Sequence, residues 1–318
     1  MNMGKQGMWT VVLGLFLAVG ANAFGNQFQT QVSQEQTAPR VLSASEITTL
    51  QDTQFIFIDG TFGDFYKANF KPAIHVLTHE WKSSDYAYIT PRTDNDIPTN
   101  AEITFQTIVK LRAQSTKKNA VIISHSKGGA ETFLMVMHHP ELIHSMGVTK
   151  ILLVSSTLAG TEITNFIEDE CGTPSAACTY LHQKMPFLST FKADVIKPII
   201  LDAYSAMTVA EKQAFSSRLY YLRTEMSDLD FKSPLYIPHV YLSMQAGDKM
   251  NDGVVPTKSQ IFYENGYDES SPVFGTDLGI ASGDHNSLFN YAKTSAEENY
   301  RDAVFRTAAE SILFGAKN

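Results

Sequence analysis

Three side chains have the types and the order needed for acyl transfer through a serine: Ser126, Asp252 and His285. A serine hydroxyl attacks a carbonyl only when a base takes its proton and an acid orients that base. Ser126 lies in NAVIISHSKGGAET, Asn119 to Thr132, where a run of small and β-branched residues passes through Ser-Lys-Gly-Gly into helix-forming sequence. Small-x-Ser-x-Gly between a strand and a helix is the pattern of a nucleophile elbow, whose sharp turn leaves no room for large neighbours. Asp252 lies in HVYLSMQAGDKMNDGVVPTKSQ, read as a strand running into a loop, with Asp248 on the same loop as the competing acid. His285 lies in GIASGDHNSLFN, after a glycine-containing loop and before an apolar stretch.

Such a serine also needs amides to receive the charge that develops on the carbonyl oxygen. The helix after the elbow aims the N–H of Lys127 at that place. The second donor is expected from FIFIDGTFGD, where glycine lets the chain turn: the amide of Thr61, with Phe62 as the fallback. Other chemistries fit less well. DKMNDG is no calcium loop of the EF type, because Met250 stands where an oxygen side chain is required and Ser259 where the twelfth-position glutamate is required. His138, His139 and His144 lack the i, i+4 spacing of a metal pair, and His75, His79, His182 and His239 show no partner pattern. His125 neighbours the nucleophile, but adjacent side chains on a turn are expected to point apart. No metal and no cofactor is called for.

The elements that must position these groups alternate. FIFIDG, Phe55 to Gly60, reads as a buried strand, AIHVLTHEW, Ala73 to Trp81, as a second, and NAVIIS and KILLVSS as two more. Thr99 to Glu102 has the form of a capping box opening a helix to about Arg112, and GGAETFLMVMHH follows the elbow as another helix. HVYLSM, His239 to Met244, reads as the last strand, and Thr294 to Phe314 as a closing amphipathic helix. Alternation of this kind predicts a mostly parallel sheet with helices on both faces. About residues 160–233 read as a helical insertion, with a capping box at Thr208 to Glu211, covering the edge of the sheet where ligands bind.

Composition narrows the class. The chain has 318 residues, is 43% hydrophobic and carries a formal charge of −8 with no basic run, which excludes the electrostatic footprint of a nucleic-acid binder. Residues 1–23 read as a cleaved export signal: Lys5, an apolar run from Trp9 to Gly20 too short to span a bilayer, then Ala21-Asn22-Ala23. Residues 24–49 are polar and read as a loosely held lead-in to one domain over 50–318. In an oxidising compartment Cys171 and Cys178, the only two cysteines, are expected to close a short loop as a disulfide.

Together these pieces resemble the secreted bacterial lipases and esterases of the α/β-hydrolase superfamily, whose chain order Ser, Asp, His they share. Asp59-Gly60-Thr61 stands where those enzymes carry a His-Gly-x oxyanion loop, and STLAGTEITNFI, Ser156 to Ile167, resembles the stretch leading into their lid. NDGVVPTKSQ and DHNSLFN resemble the segments carrying their aspartate and histidine. The chain departs from the pattern at Asp59, at Ser124 in place of the first elbow glycine, and at Ser287 in place of a calcium-binding aspartate. The resemblance implies an α/β-hydrolase fold with a helical cap, and an exported, periplasmic or secreted, serine hydrolase of carboxylic esters. Ser126, His285 and Asp252 would be catalytic, and the amides of Thr61 and Lys127 would form the oxyanion hole. Its partner would be a lipid or other ester small molecule, with transient contact to a membrane or lipid surface. A thioesterase, polyester depolymerase or acyltransferase would use the same triad, and a non-catalytic binding protein could keep the fold.

Overall fold

A computed structural model describes residues 27–61, 70–83, 85–164, 191–245, 249–288 and 294–315. The expected export signal, Phe62, Cys171, Cys178, Asp248 and most of the expected cap before residue 191 lie outside the described residues.

Six strands form one parallel sheet: β1 Thr53–Ile58, β2 Tyr86–Ile89, β3 Asn119–His125, β4 Val148–Val154, β5 Leu219–Glu225 and β6 Thr276–Ser282, in the order β2-β1-β3-β4-β5-β6. Every residue of β1 is buried, as a strand covered on both faces requires. Its register sets Phe55 against Tyr86 on one side and Val121 on the other. The order reverses direction between β1 and β3, and ligands of open α/β sheets bind outside the carboxyl ends at such a point.

The helices are α1 over residues 27–37, α2 Ala44–Gln51, α3 Lys71–His75, α4 Ile97–Gln114, α5 Lys127–His138, α6 Glu141–His144, α7 Ala193–Ala206, α8 Val209–Ser216, α9 Tyr236–Gln245 and α10 Ser295–Phe314. Side chains alternate across the strands, so each face has its own core. Ile56, Ile58, Ile122, Ile151 and Leu153 pack with α4, α5 and α7, whereas Phe55, Phe57, Ile123, Leu152 and Val154 pack with α3 and α10. On the first face Phe133 of α5 meets Phe262 and Phe215 at ring-centroid distances of 5.1 and 5.2 Å.

Five sequence expectations change. Ala73 to Trp81 is not a strand: α3 opens with Pro72 in its first turn and runs into a π-helical turn, Val76–Glu80. Ala73, Val76 and Leu77 recur at helical spacing and are all buried, so the period was 3.6 rather than 2. His239 to Met244 is also helical, within α9, where buried His239 and Leu242 share one face while Ile237 and Met244 face outward. The place in the sheet is taken by LYYLRTE, β5, inside the stretch expected as a helical insertion. Residues 27–49 are not a loose lead-in: Phe28 and Val32 are buried one helical turn apart, and Gln29 donates to the carbonyl of Ile280 on the edge strand. Finally, α4 begins before Thr99, capped by Asp96, whose carboxylate accepts from the Thr99 amide. The second capping box, Thr208 with Glu211, is formed as read, opening α8.

One close approach fixes α5 on the sheet. A methyl group at Gly128 would lie 2.2 Å from the carbonyl oxygen of Asp59, which is backbone and cannot swing aside. Gly128→Ala is expected to destabilise the protein by about 1–3 kcal/mol or more, the usual penalty of overpacking. Chemical denaturation measures it, and an unchanged midpoint would show that α5 does not pack as described.

Candidate active site

Ser126 sits between β3 and α5 with φ 56° and ψ −126°, a conformation that a non-glycine residue holds only where its surroundings enforce it. Its amide donates to Val154 O at 3.1 Å and its carbonyl accepts from Gly129 N at 3.0 Å. Gly60, after β1, lies directly against it: a methyl group there would meet Cβ of Ser126 at 2.6 Å. The loop expected to carry the second oxyanion amide, at Thr61, is thus next to the serine. Lys127, source of the other amide, is the first residue of α5. Ser124 is fully buried within β3 and the strand continues through it, so its replacement of glycine leaves the turn intact.

His285 and Asp252 complete a continuous relay. Nε2 of His285 is 2.7 Å from Oγ of Ser126, and Nδ1 is 2.8 Å from Oδ2 of Asp252. A carboxylate accepts, so Nδ1 carries the proton and Nε2 is left to accept from the serine hydroxyl. Asp252 is fully buried. Its Oδ1 accepts from the amides of Val254 and Val255 at 3.0 and 2.7 Å, and its Oδ2 also accepts from Thr224 Oγ1 at 2.8 Å and Gln260 Nε2 at 3.2 Å. The histidine follows β6, as a loop residue should, but the acid does not follow a strand. It lies beyond α9, and β5 reaches it through Thr224.

Several supporting side-chain roles escaped the sequence reading. Asp59 is buried, takes the Gly60 amide on Oδ1 at 3.1 Å and the Tyr88 hydroxyl on Oδ2, and so orients the loop expected to carry the second oxyanion amide. Burial and then the Asp59 charge push the Tyr88 hydroxyl well above the ordinary tyrosine range, so it stays a donor. Gln260 binds the carboxylate of Asp252 and the backbone of Thr224 together. Beneath the elbow the Lys127 ammonium donates to the carbonyls of Thr93 and Asn95 at 3.2 and 2.5 Å, with Glu131 at 3.6 Å. Asn100 donates to Glu131 at 2.7 Å. Nothing in single-sequence patterning marks a lysine as buried.

The histidines set aside in the sequence behave unevenly. His125 does not point away from the site: its ring lies 4.9 Å from that of His285. His75 and His79 do have partners, because the segment is helical and stacks their rings at 4.9 Å, with His75 bonded to Asp302 at 2.9 Å. His75, Glu80 and Asp302 offer donor atoms within 4.8 Å of one another. Both oxygens of Glu80 are held by Arg306 and Oδ2 of Asp302 by His75, so ion pairs already engage these carboxylates.

No protein-family model matches the sequence, and no curated protein matches it significantly. Solved structures do share its architecture. A carboxyl esterase of metagenomic origin is 16% identical, with a TM-score of 0.57 over 82% of this chain and 76% of its own. The mature form of a lipase from Bacillus licheniformis is 18% identical, with a TM-score of 0.54 over 73% of this chain and 84% of its own. At these identities the likeness is one of fold.

The buried cluster makes a pH prediction. Burial pushes the Glu131 carboxyl up to about 8 despite the neighbouring ammonium. In the unfolded chain the group ionises near 4.5, so between about 4.5 and about 8 the folded protein holds a proton that the unfolded one has released. That component of stability therefore falls as pH rises through this window. Glu131→Gln is expected to remove the slope, so its thermal midpoint should gain on the wild type from pH 5 to pH 8. Parallel curves for the two proteins would refute the assignment.

Proposed function

We propose that this chain, which has the α/β-hydrolase fold, is an exported serine hydrolase that cleaves carboxylic esters. The observation that carries the reading is the unbroken relay from Ser126 Oγ through His285 to Asp252 at a strand-to-helix elbow. The two fold neighbours described above, one a carboxyl esterase and one a lipase, favour an ester over other acyl compounds. The same relay would act on a thioester, since it specifies acyl transfer and not the leaving group. Residues 1–23 support export.

In the first half-reaction Oγ of Ser126 bonds to the ester carbonyl carbon while Nε2 of His285 takes the hydroxyl proton. The carbonyl π pair moves onto oxygen, and the amides of Lys127 and Thr61 receive that charge, each worth about 10²- to 10³-fold in rate. The C–O bond to the alcohol then breaks, with His285 returning its proton to the leaving oxygen. In the second half water replaces the alcohol: His285 takes its proton, the oxygen attacks the acyl-serine, and Oγ leaves reprotonated. Asp252 stays ionised throughout, holding the ring in the Nδ1–H tautomer and stabilising the imidazolium.

Intact mass after exposure to a fluorophosphonate tests the reading. A single adduct is expected on the wild type and none on Ser126→Ala. An unlabelled wild type, or a labelled variant, would overturn it in favour of a non-catalytic binding protein or another nucleophile. Asp252→Asn, which turns the ring to the wrong tautomer, is expected to lower kcat by about 10⁴-fold on an aryl ester.

A further inference from the structure

Ser126 and His125 are consecutive, yet both reach residue 285. Ser126 Oγ meets the His285 ring, and Nε2 of His125 lies 2.8 Å from the His285 carbonyl oxygen. We propose that His125 is a positioning residue: it clamps the backbone of His285 to the strand end carrying the nucleophile, so that the distance from ring to serine is set at both ends of one residue. The proposal rests on the hydrolase reading above for its catalytic consequence, though not for its geometry.

The chemistry of the contact is specific. A backbone carbonyl only accepts, so Nε2 of His125 must carry the proton. The ring is nearly inaccessible, at 4% exposure. Burial first, and the adjacent His285 second, hold His125 well below the usual histidine range, so it is a neutral donor. A neutral partner 4.9 Å away does not oppose the imidazolium that His285 becomes during acyl transfer.

The clamp complements the other ties of the histidine loop, which run to the far side of the site. Gly283 N donates to Glu225 O at 2.9 Å at the end of β5, and His285 N donates to Asp252 O at 2.8 Å. Ser233 donates to the carboxylate of Asp284 at 2.6 Å. These bonds fix the loop to β5 and the acid, not to β3. Among the described residues, the other hydrogen bond between the β3 end and residue 285 is the Ser126–His285 bond itself, which must break and reform in every turnover. A ring free to retreat by 1 Å would cost about 10²-fold in rate.

The experiment compares His125→Phe, which keeps an aromatic ring and removes the donor, with His125→Gln, whose side-chain N–H has comparable reach. His125→Phe is expected to lower kcat on an aryl ester by about 10²-fold with KM little changed, and His125→Gln to recover most of the loss. Thermal denaturation checks that both fold. A folded His125→Phe with wild-type kcat would overturn the proposal, as would equal loss in both variants. Nitrogen NMR of the wild type gives a readout independent of turnover and of variant folding. A neutral, Nε2-protonated His125 at pH 7 is expected, and an Nδ1-protonated or charged ring would overturn the clamp. If the wild type shows the expected tautomer but takes no fluorophosphonate adduct, the hydrolase reading fails while the clamp stands.

Discussion

The arrangement of the site depends on one buried charge. Asp252 has no solvent exposure, and an ionised carboxylate in that position costs several kcal/mol unless its lone pairs are filled. They are filled by two amides of its own loop, by Thr224 from β5, by Gln260 and by the ring of His285. The donors come from the acid's own segment, from β5 and from the histidine loop, so satisfying the charge commits these three stretches to one another. The geometry of the site is in this sense a consequence of solvating an ion with protein.

A second carboxylate plays a comparable part on the opposite side. Asp59 stands at the end of β1, and its two oxygens tie the Gly60 amide to the Tyr88 hydroxyl. Histidine could not accept both bonds while neutral, because one ring nitrogen would have to donate. The glycine that Asp59 anchors is held against Ser126 at a distance no other residue allows.

Between these two sides lies Lys127, whose backbone and side chain serve different ends. Its amide opens α5 beside the serine, while its ammonium is buried under the loop that leads into α4. A lysine there is costly to desolvate: burial lowers the Lys127 ammonium and raises the Glu131 carboxyl, while the attraction between the two opposes both shifts. Functional sites often hold titratable groups away from their ordinary ranges, and here two such groups support the helix end where oxyanion charge would develop.

What the sequence determined by itself was local and ordered. The elbow at Ser126, the strands β3 and β4, the helix α5 and the capping box at Thr208 were legible because turn sterics, short apolar runs and cap hydrogen bonds act within a few residues. The order of serine, aspartate and histidine was legible for the same reason, each lying in a short stretch of distinctive chemistry. Only the tertiary structure decided what depends on distant partners. α3 and α9 contain β-branched and aromatic residues that favour strands in isolation, and packing on α10 and on the acid loop overrides that preference. β5 was hidden between two helices because its pairing partners, β4 and β6, are remote in sequence. Gln260, Thr224, Asp59 and His125 acquire their roles only when folding places a donor beside an acceptor, and hydrogen-bond distance leaves no trace in composition or period.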